Sequence, residues 1–181
     1  MKTNTKQRIL DAALALFAEK GYDGTAMREI AQKAGINQSN IYYFFDGKSA
    51  LLDEIIEALK IIVADELGRL IEKPHAKAFT ALMKKLAKQR DAIAILMQEA
   101  AKQSADHLSL AAFSKDVYAR LNLQTHALNE TDTFIAGLLM LSLTAYGDDW
   151  RKEYGIGKTA AYTAFTDMLI RTLHLEGTPE T

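Results

Sequence analysis

Apolar residues return every three or four positions along almost all of this 181-residue chain. Ile9, Ala12, Ala13, Leu16 and Phe17 follow the i, i+3, i+4, i+7 spacing. Leu52, Ile55, Ile56, Leu59, Ile62 and Val63 do the same, and Phe79, Leu82, Met83 and Leu86 repeat it. That spacing gathers them on one side of a helix. No stretch alternates with period two for long enough to make a strand. The spacing therefore predicts an all-α chain of about nine helices, and the abundance of Ala, Leu, Lys, Glu and Gln agrees.

Glycine, proline and capping residues supply the boundaries. Gly21 ends the first helix, as expected of a residue that accepts the left-handed conformation. Thr25 is placed to cap a second helix from Ala26 to about Ala34, and Gly35 breaks it. Asn37 is placed to cap a short third helix from Gln38 to about Tyr43. Asp46 and Gly47 make a turn before a long fourth helix, Lys48 to about Glu72, which Pro74 closes. Further helices are predicted at roughly 76–89, 91–103, 107–126, 130–152 and 158–175.

Several classes of function are excluded by composition. The chain has no cysteine, which removes disulfides, thiolate nucleophiles and cysteine-ligated zinc. Its four histidines, His75, His107, His126 and His174, have no metal-binding spacing. Ser114 and Ser142 sit in no nucleophile elbow, and Asp148 and Asp149 are adjacent rather than one turn apart. No enzyme, cofactor or metal is expected. Met1 to Arg8 is polar and unlike a secretory signal. The longest apolar stretch, Phe134 to Tyr146, is well short of the roughly 20 residues that span a bilayer. A cytoplasmic protein with no membrane partner is the expectation.

The richest segment is AMREIAQKAGINQSNIYYFF, residues 26–45. Two helices crossing steeply through a tight turn need a small residue at the crossing, and Ala31 supplies it. They need a turn residue that tolerates a positive φ, and Gly35 lies four positions on. They need apolar braces, and Ile30, Ala34, Ile36, Ile41 and Phe44 are spaced to provide them. An ordinary αα-hairpin would share the glycine. With Ile41 and Phe44 inside, Gln38, Ser39, Asn40, Tyr42 and Tyr43 are left outward near the start of the second helix. That end of a recognition helix meets base edges in the major groove of DNA. Gln and Asn suit adenine, while Thr25, Lys48 and tyrosine hydroxyls suit phosphate oxygens.

These residues resemble a known family. IL-AAL-LF from Ile9 to Phe17, GYDGT from Gly21 to Thr25, MREIAQKAGI from Met27 to Ile36, and IYYFF-GK-ALL from Ile41 to Leu52 are together similar to the N-terminal domain of tetracycline-repressor (TetR) family regulators. The resemblance covers residues 5–56. It implies a helix-turn-helix DNA-binding domain over residues 1–48. It also implies a helical ligand-sensing and dimerisation domain over residues 49–181. It further implies phosphate contacts from Thr25, Tyr42 and Lys48 and base reading by Gln38, Ser39 and Asn40, with Arg28 and Tyr43 also facing DNA. Phe44 stands where the family usually has His, and Gly47 where it usually has Ser or Asn.

Beyond residue 56 the expectations are broader. The run Phe134 to Tyr146 is apolar nearly all round and must be covered on every side. With the stripe Tyr162, Phe165, Met168, Leu169 and Leu173, its Leu138 and Leu141 would suit a four-helix homodimer interface, although an intrachain core would use the same residues. Candidate linings of a pocket for a small apolar or amphipathic ligand are Phe79, Met83, Met97, Phe113, Tyr118, Met140, Tyr146 and Trp150. Gln98, Asn122, His126 and Asp132 could orient such a ligand. The expected function is a regulator, most simply a repressor, that binds a palindromic double-stranded DNA operator as a homodimer and is released by the ligand. The alternative is an adaptor of the same fold that recruits a protein. The net charge of −1 divides into +2 up to Lys48 and −3 beyond it, so placed contacts rather than a broad basic field would carry recognition.

Overall fold

A computed structural model of the chain describes residues 2–72, 76–102, 109–121 and 130–172. Among them lie nine helices and no strand. They are α1 (Lys2–Lys20), α2 (Met27–Ala34), α3 (Gln38–Tyr42), α4 (Lys48–Glu72), α5 (Ala76–Ala87), α6 (Arg90–Ala101), α7 (Leu110–Arg120), α8 (Glu130–Glu153) and α9 (Lys158–Thr172). None is long and apolar enough to cross a membrane.

Local chemistry explains most of the boundaries. Gly21 ends α1 with φ 76°, its N–H donating to Phe17 O at 2.9 Å. Gly35 ends α2 with φ 65° and ψ 41°. α4 spans the expected residues. Three details at the helix starts differ from expectation. α2 is capped at Ala26 rather than Thr25, and the missing side-chain cap is replaced from inside the helix, because Glu29 Oε2 accepts from Ala26 N–H at 2.9 Å. Asn37 stands at the N-cap of α3, but its side chain accepts no bond there. α7 starts at Leu110 rather than 107, because Ser109 is its cap and Oγ accepts from Ala112 N–H at 3.0 Å. The expected helical residues 122–126 and 173–175, and the stop at Pro74, lie outside the described residues.

α1, α2 and α3 pack as a head around Ile9, Ala13, Phe17, Ile30 and Ile41, all fully buried. Ala31 is buried at the crossing, as its size requires. The inner brace of α3 is Phe45, which is buried, whereas Phe44 is only half-buried. The backbone makes this choice: Phe45 N–H still donates to Ile41 O at 2.9 Å, so the residue four positions on shares the inner face with Ile41.

α4 carries the core out of the head. Leu51, Leu52 and Ile55 are buried near its start, and Leu59, Val63 and Leu67 continue the row among α5, α6, α7 and α8. One buried cluster therefore runs without a break from Ile9 to Ala145. Its central and C-terminal part includes Phe79, Leu82, Met83, Leu86, Ile93, Leu96, Phe113, Val117 and Met140.

Gly35 is the residue on which the head's turn depends. Its φ is in the left-handed region, and a Cβ there would sit 2.9 Å from Arg8 Nη2. That same Arg8 nitrogen donates to Ala34 O, closing the end of α2 onto α1. Gly35→Ala is expected to cost about 1–2 kcal/mol. In thermal unfolding followed by circular dichroism this corresponds to a Tm about 2–8 °C lower.

Candidate nucleic-acid interface

The site rests on the turn that joins α1 to α2, residues 21–25. Two buried or half-buried polar side chains hold that turn. Thr25 is 2% exposed, and its Oγ1 donates inward, to Gly21 O at 2.8 Å with Leu16 O at 3.2 Å. Lys48, the first residue of α4, reaches back across the head. Its Nζ donates to Tyr22 O at 2.7 Å and Thr25 O at 3.0 Å, with Asp23 O at 3.4 Å. It also lies 4.4 Å from the centre of the Tyr22 ring. An ammonium has three protons, and these three carbonyls take them all.

This geometry bears on two of the three expected phosphate contacts. The Thr25 hydroxyl is bonded inside the fold. The Lys48 ammonium is turned onto backbone carbonyls, where it fixes the turn rather than offering a free charge. Both residues are therefore positioning groups in this conformation. The tolerance of Gly47 before Lys48 follows, because the start of α4 is anchored by the Lys48 side chain itself.

The remaining expected residues converge on one outer face. Gln38, Ser39 and Asn40, the first turn of α3, are all exposed. Tyr42 is 50% and Tyr43 71% exposed, high values for aromatic side chains. The Tyr43 ring stands edge-on to Phe44, the centroids 5.2 Å apart, so the half-buried Phe44 braces the exposed ring. Arg28 is exposed on α2, the helix that precedes the turn. Lys33, also exposed near the end of α2, was not singled out from sequence, and Asn37, exposed just before α3, was read only as its cap. Arg8 was missed too, since its role depends on the distant Ala34 carbonyl.

Ion pairs tie the head together and to the rest of the chain. Lys20 bonds Glu29 at 2.6 Å, which holds the Glu29 carboxyl below its ordinary range and raises the Lys20 ammonium. Lys6 bonds Glu54 at 2.7 Å and lies 5.5 Å from the Phe45 ring centre, joining α1 to α4.

The expected ligand and dimer residues do not form two separate sets. Tyr146 and Trp150 line an open apolar groove of about 570 Å³ between α8 and α9, with Leu139, Leu143, Phe165 and Met168. Phe113 instead lines a small internal void among α4, α7 and α8, whose volume is only about 10 Å³. Leu138 and Leu141 line that same void, and Leu141 is 3% exposed. Leu141 thus packs within the chain, where α7 covers its side of α8, whereas Leu138 stays half-buried. Phe79, Met83 and Met140 are buried core residues, and the Phe79 ring meets Phe165, centroids 5.7 Å apart. Met97 and Tyr118 are half-buried and line neither cavity. Gln98 is exposed. Asn122, His126, Leu173 and the four histidines lie outside the described residues, as do the side chains of Asp132, Tyr162 and Leu169. Among the described residues no cluster of His, Asp and Glu could hold a metal ion.

Comparison with known proteins agrees with this geometry. Residues 9–55 match the sequence profile described as bacterial regulatory proteins, tetR family. Over 56 residues the chain is 43% identical to a Bacillus subtilis protein described as "Probable HTH-type transcriptional regulator YttP", covering 31% of this chain and 27% of that one. Over 52 residues it is 40% identical to IcaR of Staphylococcus aureus, the negative transcriptional regulator of the biofilm operon icaADBC, covering 29% and 28%. The match thus spans little more than a quarter of these relatives' length. Solved structures extend the likeness to the whole fold. A tetR-family transcriptional regulator from Streptomyces coelicolor superposes with a TM-score of 0.65 at 17% identity, covering 97% of this chain and 82% of the other. Salmonella enterica GusR gives 0.59 at 21% identity, covering 94% and 95%.

If Lys48 holds the turn as described, Lys48→Met should loosen the head without disturbing the distant helices. Three carbonyls lose a charged donor, and hydrogen bonds of that kind contribute about 1.5–3 kcal/mol each at most. The expected outcome is a Tm lowered by several degrees. Hydrogen exchange should accelerate at residues 21–26 and stay unchanged in α7 and α8.

Proposed function

We propose that this chain, whose N-terminal domain belongs to the TetR family of bacterial regulatory proteins, is a DNA-binding transcriptional regulator, most simply a repressor, that binds a palindromic operator as a homodimer. The observation that carries the reading is the face of α3: three short polar side chains and two exposed tyrosines on a helix held rigidly from behind by Ile41 and Phe45. Gln38, Ser39 and Asn40 are assigned to base edges. Tyr42, Tyr43 and Arg28 are assigned to the sugar-phosphate backbone. Lys48 and Thr25 keep their expected importance, but through the turn they hold. The working division is residues 1–48 as the DNA-reading head and 49–181 as the sensing and dimerising part, with α4 shared between them.

The homodimer is supported by the groove between α8 and α9. Ile135, Tyr146, Trp150 and Tyr154 are 39–69% exposed, and Ala160 and Ala164 are exposed beside them. Apolar area this continuous is rare on a monomer's surface. A second copy related by a two-fold axis would cover α8 and α9 with α8 and α9 and place two heads on one face of a duplex. The interface residues become Tyr146, Trp150, Ala160, Ala164, Phe165 and Met168 in place of Leu138 and Leu141.

Release by a small apolar or amphipathic ligand completes the reading. Its site is assigned to the void lined by Val63, Leu67, Phe113, Val117 and Gly137, beside the middle of α4. That void now has room for about one water molecule, so a ligand would have to part α4, α7 and α8. A ligand favouring the parted state would tilt α4 and change the spacing of the heads. The small size of the void is also what favours the second reading, an adaptor of the same fold that uses its apolar groove for a protein partner and senses no small molecule.

Selection of bound fragments from the source genome's DNA tests the main reading. The expected product is a two-fold symmetric site. Asn40→Ala or Gln38→Ala should relax the preference at particular positions by about 1–3 kcal/mol. Recovery of fragments without shared sequence or symmetry would overturn it.

Ala164→Glu tests the dimer separately. The side chain is exposed in the single chain, so the fold tolerates the charge. Sedimentation should report a monomer, and affinity for the palindromic fragment should fall about 100-fold as two-headed binding is lost. A dimer of unchanged stability would remove α8 and α9 from the interface.

A further inference from the structure

The α1–α2 turn is held from a third direction, by a side chain that neither the family match nor the recognition face includes. Lys102 follows directly on α6. Its Nζ lies 2.8 Å from Asp23 Oδ2, in the middle of the turn, and 2.6 Å from Glu99 Oε1, one helical turn back. Glu99 is a buried residue, 6% exposed, whereas Asp23 is exposed. A single ammonium thus stands between two carboxylates, one belonging to the body of the protein and one to the head. Asp23 in turn lies between Tyr22 and Thr25, whose carbonyls take the Lys48 ammonium.

We propose that Lys102 is a positioning residue that sets the angle of the helix-turn-helix head on the body, by bridging the buried Glu99 of α6 to Asp23 of the α1–α2 turn. The inference rests on the DNA-binding reading only for its functional consequence; the geometry it asserts is internal to the chain.

Electrostatics make the bridge directional rather than merely adhesive. An ordinary exposed ion pair contributes little to stability, because water screens it. Here the removal of one partner does more than lose an attraction. Without the ammonium, Glu99 and Asp23 face each other as like charges, and Glu99 is too buried for water to screen it fully. The contact changes sign and pushes the turn away from α6. Because the Lys48 bonds tie the turn to the start of α4, a displaced turn carries α2 and α3 with it. Hydrogen bonding to Lys102 holds the Asp23 carboxyl below its ordinary range, and bonding to Asp23 and Glu99 raises Lys102. Loss of Asp23 alone removes the bridge but creates no repulsion, so it should act more weakly than loss of Lys102.

That ranking gives the test. The chain has no cysteine, so Gln32→Cys on α2 and Lys88→Cys between α5 and α6, both at exposed positions, accept spin labels at two sites only. Labelled protein is diluted in unlabelled protein, and the head-to-body distance is read by double electron–electron resonance. The parent should give one narrow distribution, and Lys102→Arg should keep it. Lys102→Met should shift or broaden it, Asp23→Asn should do so less, and Asp23→Asn/Lys102→Met should return to the Asp23→Asn distribution. Identical distributions in the parent, Lys102→Met and Asp23→Asn would overturn the proposal whatever DNA the chain binds. Asp23→Asn keeps the test informative if Lys102→Met does not fold. On the selected palindrome, Lys102→Met should bind at least tenfold more weakly, while an isolated half-site should be bound unchanged. Equal losses on both would place the defect within the head and overturn the positioning role.

Discussion

The backbone carbonyls of a five-residue turn organise the helix-turn-helix end of this molecule. Between α1 and α2 the chain reverses without secondary structure of its own, and its carbonyls need partners. They obtain them from the Thr25 hydroxyl and the Lys48 ammonium. One of these belongs to the turn, and the other begins the helix that runs through the rest of the protein. The head is consequently fastened to α4 by charge-assisted hydrogen bonds at its edge and by Leu51, Leu52 and Ile55 beneath. α2 is held by that fastening and by its packing on α1, and α3 follows α2. Their own contact is small and relies on Ala31, Ile41 and Phe45, so the direction in which α3 presents Gln38, Ser39 and Asn40 is inherited from the turn.

At the other end the constraint is reversed. The head covers its apolar residues with its own helices and α4, whereas α8 has more apolar surface than one chain can cover. α7 takes the side of Leu138 and Leu141, and the core takes Ala136, Met140 and Ala145. The side bearing Tyr146 and Trp150 meets only α9, across an open groove. A second copy is the simplest cover, because it brings an equal groove and needs no other partner. The two ends answer to different physics: local hydrogen-bond satisfaction in the head, and apolar area left uncovered by the single chain in the body.

The parts of the fold legible in sequence were those set by local chemistry. A residue that accepts positive φ was readable at Gly21 and Gly35, and the Asp46–Gly47 turn and Pro74 gave the two ends of α4. The exposure of Gln38, Ser39, Asn40, Tyr42 and Tyr43 followed from the same periodicity. What escaped the sequence were side-chain directions decided by distant elements. Thr25 looked like a cap, but α1 offers its hydroxyl two carbonyls and Glu29 takes over the capping. Phe44 and Phe45 are adjacent aromatics, and only the path of the backbone after α3 determines which turns inward. Leu141 was indistinguishable from an interface leucine until α7 was placed against it. Lys102 carried no local signal, since its partner Asp23 lies 79 positions away.

These observations together limit how a signal could travel between the two ends. The buried cluster is continuous from Ile9 to Ala145, so the head is not a bead on a flexible string. A packed core of this kind transmits displacement rather than absorbing it. Two rigid routes then join the body to the α1–α2 turn beside α1, which packs on both: α4, which starts at Lys48, and α6, which Lys102 follows. Parting the helices around Val63 and Leu67 would move the first route, while α6 and its charge bridge would hold the second. The head would then rotate about the Asp23–Lys102 contact rather than translate, because one attachment moves and the other stays. Such a rotation would redirect α3 while leaving its exposed side chains in their own local structure.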